Sequence, residues 1–278
     1  MRIINLIENT EGSSGCTAAH GLSFYVETPK HRLLLDVGPS DETLRNAERL
    51  GIDLTKVDTV VLSHGHYDHS GGILGFLEVN RIAKVYMQRT ATKAYYADDG
   101  EDAPGGRYRY IGIDPRIVET GRVSFAEGDL TIDEELSLFT VRNRSHSLPF
   151  SNKNLLLRTG ETYIRDDFRH EHCLVISAEG KRVLLSGCAH NGILSILDAY
   201  RERYGSDPDT AISGFHLMKK TPYNDAELNE VLDTAKELKK FDTKLVTCHC
   251  TGVPAYEAMK EILGEQLSYA HAGDGITV

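Results

Sequence analysis

Four side chains able to bind a metal ion fall within six residues of this chain, in Ser63-His64-Gly65-His66-Tyr67-Asp68-His69-Ser70-Gly71-Gly72. They follow Val57 to Ser63, a β-branched run that predicts a buried strand. With 12 His in 278 residues, chance yields His-x-His-x-Asp-His in about one or two chains per thousand. The bland alternative is a surface His cluster at a strand end. Imidazole and carboxylate together suit Zn²⁺, Mn²⁺ or Fe²⁺. Four ligands are more than one ion takes from so short a segment. A tight turn would send His64 and His66 to one ion and Asp68 and His69 to a second. Gly65, Gly71 and Gly72 let the backbone turn there and a helix begin close by.

Around this motif the chain alternates strands and helices, which favours an α/β architecture. Strands are predicted at Ile3 to Ile7, Leu22 to Glu27, Arg32 to Asp36 and Ala83 to Gln88. A helix over Asp41 to Leu50 takes Ser40 as its N-cap, and another covers Gly71 to Val79. The second half repeats this outline. Its predicted strands are Leu136 to Val141, Cys173 to Ala178, Arg182 to Ser186, Ala211 to Phe215 and Lys244 to Thr247, and its helices Ile193 to Tyr204, Asp225 to Lys240 and Pro254 to Ile262. Two β-rich halves, each followed by helices, predict two packed sheets with helices outside, in one domain over residues 1–278. Residues 97–112, acidic and then rich in Pro, Gly, Arg and Tyr, read as a loop insertion or lid.

Charge and composition remove several functions. Lys and Arg number 31 against 41 Asp and Glu, a net charge of −10 that argues against nucleic acid as a partner. No apolar run approaches the roughly 20 residues of a membrane span. Glu8 interrupts the apolar start where a signal peptide would continue, so the expected location is cytoplasmic. Five Cys, an odd number, do not read as a disulfide framework.

The segment Thr-Val-Val-Leu-Ser-His-Gly-His-Tyr-Asp-His-Ser-Gly-Gly at 59–72 resembles the signature of the metallo-β-lactamase superfamily. Leu33-Leu34-Leu35-Asp36-Val37-Gly38 is similar to the strand-Asp-x-Gly element that precedes it there. The resemblance implies a four-layer αβ/βα sandwich of two mixed sheets flanked by helices, with metals at one edge. Five further segments, around His20-Gly21-Leu22, Asp166-Asp167-Phe168, Gly187-Cys188-Ala189-His190, Gly214-Phe215-His216 and Cys248-His249-Cys250, look like one branch. That branch is named for 7,8-dihydropterin-6-methyl-4-(β-D-ribofuranosyl)aminobenzene-5′-phosphate synthase.

By this resemblance the ligands are His64, His66, Asp68, His69, His190 and His249, with Asp68 also partnering a metal-bound hydroxide. Cys188 stands where many members place a metal-bridging Asp, and the usual Gly-His-Thr-Pro-Gly is missing. Cys188 is then a thiolate ligand or, more commonly, a small buried thiol. His170 or His172 could stand in for the missing element, or be hydrogen-bonded structural residues. His216 reads as a substrate contact or a satisfied His. Asp36 would orient a ligating imidazole from behind. Cys248 and Cys250 would flank His249 on the opposite face if the strand continues, as a Cys-x-Cys metal site or, more commonly, as two core thiols.

The implied cofactor is a pair of divalent ions, Zn²⁺ foremost, with Mn²⁺ or Fe²⁺ compatible. The implied partner is an anionic small-molecule substrate; the sequence is silent on oligomeric state. Two chemistries share these ligands: metal-hydroxide hydrolysis, and displacement of diphosphate from a pterin by an arylamine. A broad ester, lactone or phosphodiester hydrolase and a non-catalytic metal scaffold or sensor are the other readings.

Overall fold

The computed structural model describes residues 1–278. Two seven-stranded sheets and one four-stranded sheet carry the chain. In the first large sheet the strands run in the order Gly275–Ile276, Arg2–Ile7, Ser23–Glu27, Arg32–Leu35, Thr59–Val61, Lys84–Gln88, Val123–Ala126. In the second the order is Leu267–Tyr269, Lys244–Thr247, Thr210–Ser213, Lys181–Leu185, Cys173–Ala178, Leu136–Phe139, Leu130–Thr131. Each sheet has three antiparallel pairings at one end and three parallel pairings at the other.

The apolar pattern explains the stacking. Phe24, Val26, Leu33, Leu35 and Val61 of the first sheet meet Leu138, Leu174, Ile176, Val183, Leu185, Ile212 and Val246 of the second in one buried cluster. The opposite face of the first sheet packs on helices Glu42–Arg49 and Ile73–Val79 through Ala47, Ile73, Phe76 and Leu77. The opposite face of the second packs on Ile193–Tyr204, Asp225–Leu238 and Val253–Leu263 through Ile196, Leu197, Tyr200, Val231, Ala235 and Met259. Strands buried on both faces read as continuous apolar runs, which is why the sequence marks them. The result is the helix–sheet–sheet–helix sandwich. No helix is long and apolar enough to cross a membrane.

The stretch 97–112 departs from the expected loop. Tyr95–Asp98 and Tyr108–Tyr110 pair antiparallel, and Tyr95–Asp98 also pairs with Leu155–Thr159, which continues into Thr162–Arg165. Only the tip between the two Tyr-rich strands is irregular. Its acidic and Gly-rich composition hid both strands, and the second partner of Tyr95–Asp98 lies far along the chain. Tyr95, Ala97 and Ile111 bury one face with Leu155 and Leu157. The Glu42–Arg49 helix is capped at Asp41, without a side-chain bond, rather than at Ser40. The Asp225–Leu238 helix begins with a full capping box between Asn224 and Glu227.

Phe24 is fully buried between the sheets. Phe24→Ala is expected to lower stability by about 3–5 kcal/mol, read as a fall in the urea midpoint at unchanged m-value.

Candidate metal centre

The candidate donors sit just beyond the carboxyl ends of parallel strands. Leu35 leads into Asp36, and Val61 into the His64–His69 turn. Leu185 leads to Cys188 and His190, Ser213 to His216, and Thr247 to His249 and Cys250. In a parallel sheet this edge is where connections diverge and open a crevice. The connections here turn hard. Asp36, Ala189, His216 and His249 have φ of 60, 53, 50 and 47°. Such left-handed geometry costs a non-glycine residue of order 1–3 kcal/mol and persists only where the surroundings enforce it.

Two donor triads face each other. His64, His66 and His190 hold their ring nitrogens within 4.8 Å of one another, as do the donors of Asp68, His69 and His249. His64 Nε2 lies 3.3 Å from His190 Nε2. Asp68 Oδ2 lies 3.7 Å from His69 Nε2 and 3.5 Å from His249 Nε2. Cys188 Sγ is 3.2 Å from His69 Nε2 and groups with both His64 and His69, so it stands between the triads. All seven residues are buried.

Hydrogen bonds behind the rings decide where each lone pair points. The Ser63 backbone N–H donates to Asp36 Oδ1 at 2.7 Å, and the Ser63 hydroxyl donates to Oδ2 at 2.7 Å. That hydroxyl accepts from His64 Nδ1 at 2.8 Å, and Asp36 Oδ2 accepts from His69 Nδ1 at 2.6 Å. Asn152 Nδ2 donates to the carbonyl of His190 at 2.8 Å, which leaves its Oδ1 to accept from His190 Nδ1 at 2.8 Å. Asn9 repeats the arrangement on His249, with Nδ2 on the carbonyl at 3.2 Å and Oδ1 on Nδ1 at 2.8 Å. Four imidazoles therefore carry their proton on Nδ1 and aim the Nε2 lone pair inward.

Cys188 Sγ meets the His69 lone pair, but two ring nitrogens of the centre go unmet. His66 Nε2 and His249 Nε2 are buried with no hydrogen-bond partner. Two Zn–N bonds of about 2.05 Å meeting at the tetrahedral angle put their nitrogens about 3.3 Å apart, the separation seen between His64 and His190. Imidazole, carboxylate and thiol donors of this kind fit divalent ions such as Zn²⁺.

Burial, followed by the charges neighbouring imidazoles would carry, pushes the pKa values of His64 and His190 well below normal and that of His66 to about 3. These rings stay neutral, as ligation requires. Burial opposes charge on Asp68 as well, but His69 and His249 hold its carboxyl well below the ordinary range. His69 moves the other way: burial disfavours its cation, yet Asp36 and Asp68 outweigh that and raise it.

The remaining sequence candidates divide. His170 Nδ1 accepts from the Gly65 backbone N–H at 2.9 Å, so its Nε2 proton goes to Asp166 Oδ2 at 2.9 Å. His172 Nδ1 accepts from Gln88 at 3.1 Å and its Nε2 donates to the Leu62 carbonyl at 2.9 Å. Both rings are engaged by protein partners, although His170 also groups with His66 and Asp166 as a set of donors within 4.8 Å, whereas His172 joins no donor group. His190, brought in by the loop after Lys181–Leu185, is the third donor beside His64 and His66. His216 packs its ring 4.1 Å from His190 with Nδ1 on the Ser151 hydroxyl, and joins no donor group.

Cys248 lies in the inter-sheet core, but Cys250 does not flank it. The strand ends at Thr247 and residues His249–Thr251 form a 3₁₀ turn, which swings Cys250 to the metal-ligand side. The sequence placed His20 in a segment resembling the branch but gave it no role; its Nε2 lies 3.5 Å from Asp68 Oδ2 with half its side chain exposed. The roles of Asn9 and Asn152 had no local signal.

The chain belongs to the metallo-β-lactamase superfamily, whose defining sequence pattern matches residues 16–247. That superfamily typically binds divalent metals, and the donor groups here could hold them. Among curated proteins, the chain is 29% identical to the 7,8-dihydropterin-6-methyl-4-(β-D-ribofuranosyl)-aminobenzene-5′-phosphate synthase of Methanocaldococcus jannaschii, across 98% of this chain and 95% of that protein. Among solved structures it resembles Tm1679, a metal-dependent hydrolase of the β-lactamase superfamily, with TM-score 0.81, 29% identity and coverage of 100% and 99%. Zn²⁺-bound PqqB from Methylobacterium extorquens shares the fold at TM-score 0.56 and 13% identity, with each chain fully covered.

Two outcomes follow from the pinned rings. Replacing Asn152 by Ala frees the His190 tautomer and is expected to weaken metal binding at the His64–His66–His190 triad roughly 10–100-fold, measured by competition with a chromophoric chelator. The second concerns pH. His66 and His216 are lowered to about 3 and His172 to about 4, each by burial first, and His64 and His190 lie well below normal. A folded pKa below the unfolded value of about 6.5 adds nothing at pH 7, and costs stability as the unfolded chain takes up protons that the fold refuses. The raised His69 opposes this but is outnumbered, and Asp68 enters only below its own unfolded pKa. The chelator-stripped protein should lose about 5 °C or more in Tm between pH 7 and pH 5. A flat or rising Tm over that interval contradicts the neutral-imidazole arrangement.

Proposed function

We propose that this chain is a dinuclear metal-dependent enzyme acting on a phosphorylated, pterin-like small molecule, with displacement of diphosphate as its reaction. The observation that carries the dinuclear reading is the pair of buried donor triads, His64–His66–His190 and Asp68–His69–His249, with Cys188 between them. The Methanocaldococcus jannaschii relative, a synthase of a dihydropterin–arylamine product by its name, supports the substrate class. A second reading, hydrolysis at the same centre, is supported by the description of Tm1679 as a metal-dependent hydrolase.

Bound divalent ions would supply Lewis acidity and neutralise the charge of an anionic leaving group. The protein's own residues do the rest. Asp68 stays ionised between His20, His69 and His249, and anchors the hydrogen-bonding edge of the cleft. His20, half exposed beside it, is placed to hydrogen-bond a substrate oxygen. Arg109 reaches the rim from the Tyr108–Tyr110 strand. Its bidentate pair with Asp99 raises the guanidinium's pKa, and Tyr67 and Asp68 add to that. Arg suits bidentate recognition of phosphate. Tyr67, 40% exposed, offers a ring at the same rim. His216 faces His190 from the other side as a substrate contact. The net charge of −10 keeps the reading away from nucleic-acid substrates.

The test pairs metal content with turnover. Protein purified without chelator is expected to carry about two ions per chain and to release pyrophosphate from a pterin methyl diphosphate only when an arylamine is present. Pyrophosphate release in water alone, or alcohol release from activated esters at comparable rate, moves the assignment to hydrolysis. His66→Ala should abolish both metal binding at its triad and turnover. Near-normal turnover in that variant overturns the site.

A further inference from the structure

Five cysteines are buried and free; Cys16 lies in no apolar cluster and groups with no metal donor, and the other four fall into two kinds. Cys173 and Cys248 belong to the apolar clusters of the sandwich, where a thiol behaves as a small hydrophobe. Cys188 and Cys250 belong to no apolar cluster. Their sulfurs and a ring nitrogen of His249 lie within 4.8 Å of one another, and Cys188 Sγ is 3.2 Å from His69 Nε2.

The chain is built to place the second sulfur there. Thr247 ends its strand, His249 takes a left-handed φ of 47°, and the 3₁₀ turn at His249–Thr251 reverses the alternation that would have buried Cys250 in the core. The Leu217 and Met218 backbone N–H groups both donate to the Cys250 carbonyl, at 3.0 and 2.8 Å, and fix the turn. Gly214 leaves the notch in which the sulfur sits. A Cβ on that residue would meet Cys250 Sγ at 2.4 Å, far inside van der Waals contact. There the Cys250 thiol donates to the Cys188 carbonyl at 3.5 Å, which ties it to the loop that carries the first sulfur.

We infer that Cys188 and Cys250 bind metal as thiolates beside His249, so that the metal position on the Asp68–His69–His249 side selects thiophilic ions over Mg²⁺ and Mn²⁺. The inference rests on the metal-enzyme reading and adds Cys250 to its ligands. Thiolate ligands favour Zn²⁺, Co²⁺ or Fe²⁺, whereas hard ions prefer carboxylate, carbonyl and water. Each thiol must lose its proton on binding, so loading this position releases protons to solvent.

Co²⁺ is the probe. The chelator-stripped full chain is titrated with Co²⁺ and its absorption recorded. Thiolate ligation gives sulfur-to-cobalt charge-transfer absorption in the near ultraviolet, separate from the visible ligand-field bands of any tetrahedral site. The expected result is a charge-transfer band that persists in His66→Ala and falls by about half in Cys250→Ser, one thiolate of two, at unchanged cobalt stoichiometry. A second measurement needs no variant. Zn²⁺ should protect Cys188 and Cys250 from alkylation by iodoacetamide, located by peptide mass, and Mg²⁺ should not. Cobalt bound with ligand-field bands alone overturns the thiolate assignment while leaving the metal-enzyme reading intact. A full band in Cys250→Ser removes Cys250 from the ligands. Absence of any cobalt binding overturns the metal-enzyme reading and this inference with it.

Discussion

Imidazole lone pairs aimed into one dry volume repel each other, and much of this structure exists to hold them there. Unpaired buried nitrogens such as His66 Nε2 and His249 Nε2 cost about 1–3 kcal/mol each when nothing meets them. A lone Nε2 could escape by turning its ring. Four rings do not turn because their Nδ1 atoms are committed: His64 to Ser63 and His69 to Asp36, His190 to Asn152 and His249 to Asn9. Two buried carboxylates then fix the loops. Glu171 accepts from the His190 and Asn191 backbone N–H groups at 2.6 and 2.8 Å. Glu8 accepts from the His249 N–H at 2.9 Å and the Tyr269 hydroxyl at 3.0 Å. The fold thus stores an arrangement that a cation relieves.

The sandwich makes such a store affordable in backbone terms. Parallel strands end in register, so their connections leave the sheets along one line, and both sheets present that line to the same crevice. Five of the six left-handed non-glycine residues lie here: Asp36, Phe168, Ala189, His216 and His249. The sixth, Glu179, sits in an ordinary hairpin turn before Gly180. Strain is therefore concentrated in the connections that carry or adjoin the donors and absent from the layers that hold them, which matches how strained conformers are distributed in proteins that bind tightly defined groups.

The four-stranded sheet beside the crevice links recognition to this frame. Its inner face carries Tyr95, whose ring lies 4.1 Å from His170, and His170 in turn holds Gly65 between the first two His donors. Its outer face carries Tyr96, Tyr108, Tyr110 and Tyr163 in mutual contact, with Tyr108 and Tyr163 stacked at 3.9 Å. Arg109 lies on the same strand as two of these tyrosines but pairs across to Ala97, on the inward face. One strand thereby serves both the small core of this sheet and the rim of the site.

Sequence alone determined the parts of this protein that local chemistry dictates. The β-branched run before His64 marked a buried strand. The density of donors from His64 to His69 marked a metal centre, and the apolar stripes of the later helices marked the outer layers. Those signals are short-range: period, propensity and ligand type are all written within a few residues. The tertiary structure decided what depends on residues far apart. Asn9 and Asn152 are unremarkable in the chain and become essential only because each meets both the carbonyl and the ring of one histidine. His170 and His172 read in sequence as ligands or hydrogen-bonded structural residues, and the fold decides their partners: Gly65 and Asp166 for one, Gln88 and Leu62 for the other. The strand Tyr95–Asp98 stayed hidden because its second partner, Leu155–Thr159, lies some sixty residues on, and Tyr108–Tyr110 is paired only to that hidden strand. Cys250 reads as the alternate face of a continuing strand, and one left-handed residue at His249 turns it toward the donors. Hydrogen-bond partners and backbone reversals are set by what the folded chain brings together, and no window of sequence contains them.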